Sequence, residues 1–140
     1  MAIQARSRAN YDTKGGRLIE LPMIAADIVY RGSFVNLASG VAQPASVGAG
    51  QIVGICAEDV DNSAGAAGAK KVTVFTDGLL KHALASITSA STGATAYATA
   101  SNDDTLTLVT TGNNKIGVVV AVPVTGTCWV KLECPGIAIP

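Results

Sequence analysis

Apolar residues alternate with polar ones, or gather in β-branched runs, over residues 17–21, 28–37, 51–57, 72–75, 94–98, 105–110, 116–124 and 129–133. A period of two is the signature of a strand with one buried face, and the Val, Ile and Thr content of these runs points the same way. Stretches rich in Gly, Ala, Ser, Asn and Asp separate them, notably 62–69 and 111–114, and read as loops. Asp77-Gly78 has the chemistry of a tight hairpin turn. Leu79, Leu80, Ala83, Leu84 and Ile87 could line a short helix, but a hairpin over 80–85 agrees better with its neighbours. The pattern predicts an all-β body.

The body repeats itself. Val53-Gly54-Ile55 is matched by Ile116-Gly117-Val118. Upstream, Gly32-Ser-Phe-Val35 matches Gly93-Ala-Thr-Ala96; downstream, Val72-Thr-Val74 with Gly78 matches Val130-Lys-Leu132 with Gly136. Glycine inside a strand is unfavourable unless backbone approaches closely or the strand bends. Its recurrence in one context predicts two similar β-units, with halves of about 18–87 and 88–140. If Gly54 and Gly117 mark close approach, Gly→Val should cost about 1–3 kcal/mol at either site.

Composition adds a reason for association. The 140 residues have zero formal net charge, 14% charged residues and 4% aromatics, yet 49% are hydrophobic. Ala, Gly, Ser and Thr supply 60 positions, so the core is fine-grained and the surface is poor in charge, which favours cover by partners. The balance excludes a polyelectrolyte field for nucleic acid. The longest apolar run, 116–124, is too short to span a bilayer, and the N-terminus lacks a signal-peptide core. Three cysteines (Cys56, Cys128, Cys134) without a CxxC pair argue against a disulfide framework and a zinc site, and suggest synthesis in a reducing cytoplasm. Charge is uneven, however. Residues 1–17 carry Arg6, Arg8, Lys14 and Arg17 against Asp12, a net +3; residues 18–140 carry six basic and nine acidic groups, a net −3. With Gly15-Gly16 and no apolar period, 1–17 reads as a flexible basic arm on a single β-domain spanning 18–140.

Candidate chemistry is sparse. His82 is the one histidine, and it has no carboxylate or thiol beside it in sequence. Glu58-Asp59-Val-Asp61-Asn-Ser63-Ala-Gly65 resembles a calcium loop but has its Gly one place late and Lys70 where a bidentate Glu is needed. Asn102-Asp103-Asp104 reads as a polar turn. No phosphate-cradling loop, nucleophile elbow or metal-spaced His pair is present. Trp129 heads an alternating strand and is expected in a core or at a subunit interface. No catalytic, cofactor or metal residue is assigned, and no enzyme activity is expected.

The order of these segments resembles a known family. Asp27-Ile-Val-Tyr30 with Gly32, then Ile52-Val-Gly-Ile55, then Val72-Thr-Val-Phe75 leading to Asp77-Gly78, recurs as Gly93–Tyr97, Asn114-Lys-Ile-Gly-Val118 and Trp129-Val-Lys-Leu132. This is similar to the small head-decoration, or capsid cement, proteins of tailed phages, over roughly residues 18–136. The resemblance implies a small all-β barrel or sandwich that forms a homotrimer on the outer capsid surface and bridges neighbouring major-capsid subunits, with no direct contact to nucleic acid or membrane. Arm residues Ile3, Arg6, Arg8, Tyr11, Lys14 and Arg17 are then expected to grip the capsid. The 62–69 loop departs from the family pattern. A tail or fibre module shares this composition, and a trimeric β-fold enzyme with a shared site is the remaining alternative.

Overall fold

The computed structural model describes residues 11–12, 18–46, 51–99 and 103–133. Among the described residues the protein is all-β apart from one 3-10 turn at Ser89–Ser91. Thirteen strands are described: β1 Tyr11–Asp12, β2 Leu18–Pro22, β3 Ile28–Val29, β4 Phe34–Ala38, β5 Val41–Pro44, β6 Ile52–Cys56, β7 Val60–Asp61, β8 Lys71–Phe75, β9 Leu79–Ala83, β10 Thr95–Ala98, β11 Leu106–Thr107, β12 Asn114–Val124 and β13 Thr127–Leu132. They form a first sheet in the order β2-β8-β6-β4-β5, a second in the order β1-β9-β13-β12-β10-β11, and a small β3-β7 pair. All strand pairings within the sheets are antiparallel. The architecture is sandwich-like, and neither sheet closes into a barrel, although a bridge from Met23 to Ala42 draws the ends of the first together.

The two sheets are copies of one unit. Val35 lies opposite Gly54, with a register shift immediately after it; Ala96 lies opposite Gly117, with the same shift immediately after it. The entry turns match as well. Gly32 (φ 87°) and Gly93 (φ 95°) are both left-handed, where a Cβ would be strained. Gly32 donates to the Cys56 carbonyl at 2.8 Å and Gly93 to the Val119 carbonyl at 2.7 Å. In return, Cys56 N donates to Ser33 O at 3.0 Å and Val119 N to Ala94 O at 2.9 Å. On the far side, Ile55 faces Phe75 and Val118 faces Lys131; beyond these, Val74 faces Ile19 and Val130 faces Leu80. Thus β2, β8, β6, β4 and β5 correspond to β9, β13, β12, β10 and β11.

This correspondence corrects three sequence expectations. The units divide at 76–78, not near 87, because β9 is the counterpart of β2 and opens the second sheet. The downstream match is offset by two residues: Val72 and Val74 correspond to Cys128 and Val130, which preserves the faces while breaking the Gly78–Gly136 equivalence (Gly136 is outside the described residues). Gly78 (φ 112°) is not a hairpin turn. Both edges of β8 are taken by β2 and β6, so the chain at Asp77-Gly78 turns a corner into the second sheet. Likewise 28–37 is broken by the Gly32 turn into β3 and β4, and 105–110 contributes only the short β11. Over 80–85 the strand alternative to a helix holds, since Leu79–Ala83 is β9, but there is no hairpin: β9 pairs with β1 and β13.

Packing is head-to-tail. One core holds Met23, Val29, Val35, Ala42, Val53, Cys56, Val72 and Val74, all from residues 18–75; Ile24 and Val60 from the flanking segments pack against it. The other core joins Leu80, Ala96, Ala98, Leu106, Ile116, Val119, Cys128, Val130 and Leu132 of the second unit to Phe34, Ala45, Ile52 and Ile55 of the first. The inner face of each sheet is therefore covered differently: the first by the segments around β3 and β7, the second by the outer face of the first sheet. Burying apolar surface on both faces of the first sheet explains why β6, Ile-Val-Gly-Ile-Cys, is buried along its whole length.

Candidate functional site

The polar groups that could carry chemistry are spread out. His82 is buried in β9 at the position of Leu21 in the first unit. Its Nδ1 lies 2.8 Å from the Ala83 carbonyl, and its ring packs 5.4 Å from Phe34. It fills the seam between units. The 61–65 loop is organised by its own hydrogen bonds. Asp61 Oδ1 accepts from Ser63 N at 2.9 Å, and the Ser63 bonds hold its carboxyl below the usual range. Asn62 Nδ2 donates to the carbonyls of Ile24 (2.9 Å) and Ala66 (3.0 Å), tying the loop over the first core. Lys70 Nζ donates to Asp61 O at 2.6 Å. Among the described residues no three His, Cys, Asp or Glu side chains are grouped as a metal site.

The described cysteines are buried thiols. Desolvation pushes Cys56 from 9.0 up to about 12; a backbone hydrogen bond with Glu58 opposes the shift, while the Asp59 and Glu58 charges add to it. Burial raises Cys128 as well. For a thiol with a raised folded pKa, the native state holds its proton after the unfolded state has lost it. The associated stability is whole below pH 9 and is lost as pH rises from 9 toward 12. Cys56→Ala should therefore flatten the alkaline decline in urea midpoint relative to the unmodified protein; an identical decline would show that Cys56 does not drive it.

The arm is described only at Tyr11–Asp12, whose backbone pairs with Leu80 and Leu79 as the edge strand of the second sheet. Ile3, Arg6, Arg8, Lys14 and Arg17 lie outside the described residues. Among the described residues the arm pairs with the body at Tyr11–Asp12, where the sequence reading had it flexible.

Trp129 is not in either core. In β13, Cys128, Val130 and Leu132 point inward, which places Trp129 and Lys131 on the opposite face. There Trp129 lies opposite Lys81, and Lys131 lies between Leu79 and Val118. Lys115, 3.4 Å from Glu133, extends this face. Sequence reading did not single out this group, although the Leu79/Lys81 and Trp129/Lys131 alternations carry it. The candidate site is a surface. Comparison with protein-family models, curated proteins and solved structures finds no match to this chain.

Proposed function

We propose that this chain is a structural virion protein that binds the outside of a tailed-phage capsid as a trimer and stabilises it by bridging major-capsid subunits. The observation that supports this best is the duplication. Most of the segments that resemble head-decoration proteins, in 27–78 and again in 93–132, fall on corresponding strands of two stacked sheets. A body with few charges and small side chains suits many weak contacts. A protein that binds only the expanded shell stabilises it by mass action, and three copies held together add their contacts. The reading involves no catalytic step, cofactor, nucleic acid or membrane.

Co-sedimentation with expanded shells lacking the protein tests this. Saturable binding is expected; shells that take up none would overturn the reading. Deletion of 1–17 should weaken binding and its salt dependence while leaving the trimer intact. Each exposed ion pair contributes only about 0.2–1 kcal/mol, but three arms act together. Unchanged affinity and an unchanged salt response would remove the arm from the contact.

A further inference from the structure

At three outward positions the second unit departs from the first. Phe34, Ile52 and Ile55, buried against the second unit, correspond to Thr95, Lys115 and Val118, which are only partly buried. A third sheet would need an apolar seat here, and Thr95 and Lys115 remove much of it, as in the polar outer face of a terminal repeat. The face is nevertheless not an ordinary solvent face. It keeps Leu79, Val118 and Trp129, and it gathers Lys81, Lys115 and Lys131, all the basic residues of 79–133. Glu133 sits against Lys115; among the described residues Lys81 and Lys131 have no acidic partner.

The complementary charge lies in the other unit. Residues 18–75 carry three basic and five acidic groups, a net −2. Glu58 and Asp59 are exposed where the chain leaves β6, and Asp59 Oδ1 is fixed by Arg31 N at 2.8 Å. We propose that the outer face of the second sheet of one copy docks on the Glu58–Asp59 side of the first unit of another copy. Such a contact is head-to-tail, so it either closes into a ring or runs on as a filament. Four strands about 4.8 Å apart and about 17 Å long offer roughly 330 Å², about two fifths of the ~800 Å² per partner of a standard interface. One such contact is weak. A closed ring, in which every copy makes two, is the form it favours, and only the number three rests on the proposed function.

The test uses Lys81→Glu/Lys131→Glu, Glu58→Lys/Asp59→Lys and the fourfold swap, all at exposed positions, with light scattering for mass and iodide quenching of Trp129, the only tryptophan. Circular dichroism identifies the folded preparations, and a salt series on the unmodified protein supplies a reading that needs no variant. The unmodified protein should be assembled at low salt with Trp129 protected, and should dissociate at high salt. Each double reversal should weaken assembly at least tenfold and expose Trp129, and the fourfold swap should restore both. A salt-insensitive oligomer that survives both reversals would overturn the contact, as would a folded fourfold variant that stays monomeric. A monomeric unmodified protein would also overturn it; if that monomer still bound shells, capsid binding would stand without this interface.

Discussion

Gly54→Val and Gly117→Val are each expected to cost about 3–5 kcal/mol, more than the sequence alone suggested, because the obstacle is backbone. A Cβ on Gly54 would overlap the Phe75 carbonyl oxygen and come within 2.6 Å of Val74 Cγ1. A Cβ on Gly117 would overlap the Lys131 carbonyl oxygen and come within 3.1 Å of Val130 Cγ1. The obstacles are corresponding atoms in the two units, so the losses should be similar, and alanine should already be harmful. Against a typical stability of about 5–15 kcal/mol, either valine removes a large share. Urea melts measure this directly; valine tolerated at both sites would mean that the strands do not approach as described.

Phe34→Ala should cost about 3–5 kcal/mol, the range for truncating a fully buried aromatic. Phe34 belongs to the first sheet but fills the core of the second, against His82. Its loss therefore opens a cavity at the seam and uncouples the units. Thr95 occupies the corresponding position on the outer face of the second sheet, and Thr95→Ala should change stability by no more than about 0.5 kcal/mol. The contrast between two equivalent positions isolates the head-to-tail packing. Equal, small effects in chemical denaturation would place the seam elsewhere.

The duplication was legible because it is written in glycines whose geometry disfavours other residues. Gly32 and Gly93 need left-handed backbone, and Gly54 and Gly117 need room beside a carbonyl. Downstream, Val-x-Val recurs so readily that a shift of two residues preserves every face, and the wrong copy was chosen. The half-boundary failed for a related reason. Asp77-Gly78 has hairpin chemistry, but a turn residue does not reveal whether the next strand returns to its own sheet or starts another. Of the two places expected for Trp129 the core fails, because alternation fixes which residues share a face without saying which face is inward; its outward position is the one a subunit contact requires. The surface formed by Lys81, Lys115, Trp129 and Lys131 was hidden because it draws on three strands whose pairing no local pattern specifies. Alternation with apolar neighbours was enough to give the all-β character.

The capsid reading is tested most directly by a low-resolution reconstruction of the particle carrying this chain, compared with particles assembled without it. The difference density is expected on the outer shell at three-fold and quasi-three-fold positions, in trimeric lobes bridging neighbouring capsid subunits. Density confined to the tail, or no difference on the head, would contradict it.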